Sequence, residues 1–209
     1  MRGSSQDIPI VSLMPGTSPF CVKGTLWLGI RQYVDAHVAG GLDRVNEQLD
    51  ASTRVFFSQI FLASSWFDLF PVLHVFKAIS TVTGVSFNEQ AKRTATWHGE
   101  QDLNGTYKTM LKQSSPQAVC KRFAGIYSKL YNFGRVDVIG EEERSVESCV
   151  YGFPKPAVGW WMRATESYTQ PLLLAAGAKN VKTTWMPLEP DGEQARVPLV
   201  RTRSFVTWE

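Results

Sequence analysis

Histidines, cysteines and carboxylates are the side chains here that could do chemistry, and their spacing organises very little of it. His37, His74 and His98 all fall in helical stretches. None stands at ligand spacing from another His, Cys, Asp or Glu, so no metal site is expected. His98 has the most suggestive surroundings, since Trp97-His98-Gly99-Glu100 joins an aromatic, a titratable ring and a carboxylate near a helix end, where the dipole favours a charged imidazole. Nucleophilic catalysis needs a Ser or Cys beside a base, and no GxSxG-type arrangement occurs. Ser64-Ser65 suits a helix cap, Cys120 falls beside an apolar helix face, and Glu141 to Glu143 form a charged turn. Neither GxxxxGK[ST] nor GxGxxG is found, so nucleotide chemistry has no support. No catalytic residue and no cofactor is expected, and the chain does not read as an enzyme.

Aromatic content offers more. The sequence holds 7 Trp, 12 Phe and 6 Tyr, many of them between Trp66 and Tyr131. Large rings supply core packing, and they also supply contact area for an apolar guest. Trp66, Trp97, His98, Tyr107 and Tyr131 are the candidate ligand-binding residues, the rings giving area and the hydroxyl and imidazole groups giving orientation. The expected activity is that of a non-enzymatic sensory or regulatory module for a small apolar or aromatic molecule. The rival is a protein-interaction adaptor using the same aromatics.

The elements that must position these residues follow from hydrophobic period. Leu26, Ile30, Tyr33, Val34 and His37 predict a helix over Thr25–Ala39, ended by Gly40 and Gly41. Leu42 to Leu49 is a short segment, and Ser52 or Thr53 caps a helix with Val55, Phe56, Ile60 and Phe61 inward. Ser65 is expected to cap an apolar helix closed by Gly84, kinked or starting late because of Pro71. Ser86 with Glu89 is a capping box for a helix to about Asp102, and Ser115 with Pro116 opens another, whose buried face runs from Val119 to Tyr131. Past Gly134 the period falls to 2. Strands are predicted near Val136–Val138 and Val146–Tyr151, then a helix over Val158–Ala176, then strands over Val181–Leu188 and Val197–Trp208 joined by a Pro190-Asp191-Gly192 turn. Helices followed by strand, strand, helix, strand, strand predict an α+β fold: an N-terminal helical subdomain (21–134) and a four-stranded antiparallel sheet with one packed helix (135–209), preceded by a flexible segment, 1–20.

The formal charge of +3 is too small for a dedicated nucleic-acid binder, and the basic excess, +4, is confined to residues 86–134. The longest apolar-rich stretch, Ile60 to Val85, is interrupted by Asp68, Pro71, His74 and Lys77, so no membrane span is expected. Three cysteines cannot all pair, and no apolar leader precedes Phe20, which together suggest a cytoplasmic protein.

Several short motifs carry a resemblance. Val22-Lys23-Gly24-Thr25, Ser64-Ser65-Trp66, Asp102-Leu103-Asn104-Gly105-Thr106-Tyr107, Ser115-Pro116 and Gly152-Phe153-Pro154, in that order, resemble an uncharacterised group of paralogous myxobacterial domains of unknown function. That group is distantly similar to haem nitric-oxide/oxygen-binding (H-NOX) domains and to four-vinyl-reductase-type ligand-binding domains. The resemblance implies an H-NOX-like scaffold with a pocket between helices and sheet. In H-NOX domains a proximal His lies on a helix before the sheet and a Tyr-x-Ser-x-Arg motif grips the haem propionates. Here the stretch assigned to that helix, Gly105 to Gln113, contains no His. Tyr127-Ser128-Lys129 and Tyr131-Asn132-Phe133-Gly134-Arg135 hold only fragments of the motif. A haem-based gas sensor is therefore the disfavoured alternative, with Tyr107, Met110 and His98 as its remaining candidate ligands.

Overall fold

A computed structural model describes residues 14–105 and 114–209. Strand β1 (Cys21–Lys23) leads directly into helix α1 (Gly24–His37), followed by α2 (Gly41–Asn46) and α3 (Ala51–Ser58). Asp50 caps α3 by accepting the Thr53 N–H at 2.9 Å, so the cap falls two residues before the expected Ser52. Phe56, Phe57 and Phe61 turn inward from this region, but Val55 and Ile60 point outward, 73% and 83% exposed. Both had been expected inside. Gln59 leaves the helical conformation, so the 3.6-residue register does not reach Ile60.

The expected helix from Ser65 is replaced at its start by a strand. β2 (Trp66–Asp68) pairs antiparallel with β1, Val22 opposite Phe67, and α4 (Pro71–Thr83) begins only at Pro71. The proline occupies the first helical position, where its missing N–H costs nothing, and no kink is needed. Asp68, 3% exposed, accepts the backbone N–H groups of Gly16, Ser18 and Phe70. From Gly16 onward the segment expected to be flexible is thus anchored, and Phe20 is fully buried.

Helices α5 (Phe87–Asn104) and α6 (Pro116–Leu130) begin as their sequences dictate. The Ser86 and Ser115 hydroxyls accept the N–H groups of Glu89 and Ala118. Gly134, at φ +62°, marks the passage to the sheet. Strands β3 (Arg135–Glu142) and β4 (Ser145–Pro154) form a hairpin, α7 (Lys155–Ala175) packs against α5, and β5 (Lys182–Trp185), β6 (Glu189–Gln194) and β7 (Val197–Thr207) complete the sheet. The strand order is β3-β4-β7-β5, with β6 sharing the β5 edge of β7, and every pairing is antiparallel. The fold is α+β as expected, but the sheet has five strands. Its last hairpin turns at Ala195 and Arg196, φ 51° and 63°, a pair of left-handed residues whose twist suits a tight hairpin. Pro190 to Glu193, expected to be the turn, instead forms an irregularity within β6, from which Asp191 accepts the Gly152 N–H at 2.7 Å.

Two groups of buried apolar side chains result. One unites α1 to α5 with the near end of the sheet and contains Trp27, Phe57, Phe76, Phe153, Trp160 and Trp161. The other, Val119, Val146, Leu172, Leu173, Ala178 and Trp208, joins the far end of the sheet to α6 and α7. No helix among the described residues is long and apolar enough to cross a membrane.

Candidate functional site

A cavity of about 610 Å³ lies between the helical part and the sheet, lined from both apolar groups. Four helices contribute residues at spacings of three and four: Leu26 and Gly29 from α1, Ala95, His98 and Asp102 from α5, Cys120, Phe123, Ala124 and Tyr127 from α6, and Trp161, Ala164 and Tyr168 from α7. Val136 of β3, Ser148 and Val150 of β4, Thr183 and Trp185 of β5, and Ser204 and Val206 of β7 make the floor. The opposite face of the same strands carries charge, with Arg203 bonded to Glu147 at 3.1 Å and Arg201 to Glu189 at 2.9 Å. Alternation along β4 and β7 thus directs the apolar and small side chains to the cavity.

Of the candidate residues, Trp97, His98 and Tyr131 meet at this cavity. Trp97 also borders a polar surface cleft with Tyr33 and His37, so it forms part of the wall between cavity and exterior. Tyr131 stacks on Tyr127 at 4.7 Å and begins a continuous series of rings through Phe133, Phe153 and Trp161 to Trp185. Burial pushes its hydroxyl up to about 12, opposed by a hydrogen bond from the Trp161 indole. Trp66 is not part of this lining. It lies on β2, 42% exposed, with the Lys23 ammonium 3.8 Å from its ring centroid. A three-residue strand, formed only by pairing with β1, carries it away from the face a helix would have given it. Tyr107 and Met110 lie outside the described residues. Sequence reasoning missed the α7 and sheet contributions, Trp161, Ala164, Tyr168, Ser148, Trp185 and Ser204, although Trp161, Ala164 and Tyr168 stand at helical spacing.

His98 does not behave as its place near a helix end suggests. Its ring packs on Gly29, where a Cβ would lie 2.8 Å from both Cε1 and Nε2, and Nε2 is buried without a hydrogen-bond partner. Burial lowers its pKa, outweighing the pull of the Gly29 backbone and the Asp102 carboxylate. Between the folded and unfolded values the unfolded chain therefore binds more protons. The His98 contribution to stability is complete above about 6.5 and declines as pH falls from there toward the folded value. Urea midpoints recorded against pH should show this decline, and His98→Gln should flatten it; an unaltered slope would assign the titration elsewhere.

The lining can be tested against a haem. Among the described residues, His98, Cys120, Tyr127, Tyr131 and Tyr168 carry atoms able to ligate iron. His98 turns Nε2 against the α1 backbone. Burial pushes the Cys120 thiol up to about 11 and also raises Tyr127, so neither is poised to ionise. Tyr131 is bonded by Trp161, and the Tyr168 hydroxyl donates to Asp102. Lys23 is the one cation in the described lining, against Asp102 and Glu166, and its Nζ already donates to the Ser64 carbonyl at 2.6 Å. Two propionates would face more acid than base. These residues do not fit a haem.

No family model and no curated protein matches the chain. Solved structures do. An H-NOX-family structure from work on the function of heme distortion superposes with a TM-score of 0.62 at 13% identity, covering 90% of this chain and 95% of that one. An oxygen-binding H-NOX domain related to soluble guanylate cyclases, in its oxygen complex, gives 0.59 at 12% identity over 89% and 92% of the two chains. The Fe(II) unliganded H-NOX protein from K. algicida gives 0.54 at 12% identity over 90% and 96%. At such identities the likeness speaks for the path of the backbone, which here agrees over nearly the whole chain. The architecture of this protein is therefore H-NOX-like.

Proposed function

We propose that this chain is a non-enzymatic sensory or regulatory module, acting in the cytoplasm as one unit over residues 21–209, that holds a small apolar or aromatic molecule between its helices and its sheet. The placement among uncharacterised myxobacterial paralogues belongs to the same proposal and rests on the sequence motifs. The observation that carries the reading is the 610 Å³ cavity, lined mainly by rings and aliphatic side chains from both halves of the fold. Its volume lies in the range of small-molecule sites. A guest held there touches α1, α5, α6, α7 and β4, β5 and β7 together, so its arrival can shift the helices against the sheet. That is the property a sensor requires.

The related folds hold haem, and the present lining does not suit one. Protein purified from its own host should carry an organic guest in native mass spectra and show no Soret band near ~400 nm, before or after incubation with haemin, because the described lining presents no organised iron ligand. A stoichiometric Soret band lost in His98→Ala would overturn this choice of guest and favour gas sensing. An apo mass together with no thermal shift across lipids, tetrapyrroles and aromatics would overturn ligand binding itself. The adaptor reading is favoured only by the exposed Val55, Ile60, Leu62 and Trp66, which follow one another from α3 to β2. The cavity of about 610 Å³ with its mainly apolar lining supports the ligand more strongly.

A further inference from the structure

The cavity floor is not uniformly apolar, and its polar residues are in register. Ser148 of β4 stands opposite Ser204 of β7, and Ser204 stands opposite Trp185 of β5, so one row crosses three strands and faces the cavity. Val150, Val206 and Val146 occupy neighbouring rows on that face. Ser204 is 6% exposed. Neither serine hydroxyl hydrogen-bonds to another described residue, and neither is sealed from the cavity as the orphaned Trp185 Nε1 beside them is. A hydroxyl removed from bulk water without a partner is costly, whereas Val or Ala would fill these strand positions at no polar cost. Two such hydroxyls side by side call for a partner inside the cavity.

The chemistry of the row indicates which partner. A serine hydroxyl gives one hydrogen and can accept, while an indole N–H only gives. The two serines thus bring two hydrogens to one spot of the floor, while the Trp185 N–H is buried away from the cavity. Charge narrows the choice, since the described lining has Lys23 against Asp102 and Glu166 and so does not favour an anion. Building on the ligand-binding reading, we infer that the guest is an uncharged, flat, apolar molecule whose carbonyl oxygen sits over the Ser148–Ser204 pair, as a ketone or quinone would place it. The rings of Tyr127, Tyr131 and Trp161 cover its body, and the serines fix its orientation.

Three tricyclic probes of nearly the same outline test this by equilibrium dialysis: fluorene has no polar group, 9-fluorenone adds a carbonyl acceptor, and carbazole adds an N–H donor. The wild-type chain should bind fluorenone about ten-fold more tightly than fluorene, and carbazole no more tightly than fluorene. In S148A/S204A the fluorenone advantage should vanish while fluorene affinity stays within about three-fold, because the apolar contacts remain. Should the double variant fail to show a cooperative thermal transition, the two single alanine variants carry the comparison, each losing part of the preference. Equal wild-type binding of fluorene and fluorenone, a preference for carbazole, or a fluorenone preference that survives in the serine variants would overturn the carbonyl assignment and leave the apolar site standing. Failure of all three probes to bind would overturn the site as well.

Discussion

Replacing Gly99 by valine should destabilise the fold by about 3 kcal/mol, the upper end of what overpacking in a close-packed interior usually costs. In an open helix the first step of such a change, Gly to Ala, would gain about 1 kcal/mol. Here the sign reverses. A Cβ at Gly99 would lie 2.6 Å from the Tyr168 carbonyl oxygen and 2.9 Å from Pro171 Cγ, and the nearer of these is backbone, which cannot swing aside. The glycine lets α5 and α7 approach until Thr96 donates to the Ser167 carbonyl at 3.4 Å, one turn before it, and Tyr168 donates to Asp102, one turn after. His98 and Asp102, on that same stretch of α5, line the cavity. Urea denaturation of Gly99→Ala and Gly99→Val should therefore give a graded loss, Val worse than Ala. A stabilised Gly99→Ala would mean that the helices do not approach this closely.

Gly99 also shows what the sequence made legible. Its neighbours Trp97 and His98 could be singled out, and a glycine within a helical pattern signals a reason of packing. Nothing in the chain says which helix it meets, because Tyr168 and Pro171 are some seventy residues away. The same division runs through the whole fold. Local signals served well: Ser86 and Ser115 cap where their hydroxyls allow, and the change of period at Gly134 separates helices from sheet. Signals that depend on a distant partner did not. β2 exists because Val22 pairs with Phe67, and that pairing removes Trp66 from the site. The last turn falls at Ala195 and Arg196 because the β6 pairing with β7 requires it there, although Pro190-Asp191-Gly192 is the better local turn sequence. His98 followed the same rule: its place near a helix end argued for a charged ring, and burial against Gly29 decided for a neutral one.

The cavity itself is the clearest case of information spread along the chain. Each helix that borders it has one small residue in its stripe, Gly29, Ala95, Ala124 or Ala164, and two facing strands contribute Ser148 and Ser204. Taken singly, each is an ordinary close-packing position. Only their convergence leaves a hollow, so it can be removed at a single point. Ala164 lies between Trp161 and Tyr168 on the cavity face of α7. Ala164→Trp should place its ring in the space the guest needs and weaken fluorene or fluorenone binding by about 100-fold, since the apolar contacts that hold such a guest are lost together. The same ring gains contacts with the apolar side chains that line the cavity around Ala164, so the melting temperature should hold steady or rise. Opposite signs for affinity and stability separate a filled cavity from a damaged fold. Undiminished affinity in a stably folded Ala164→Trp chain would mean that these molecules bind elsewhere, and the sensory reading would have to move with them.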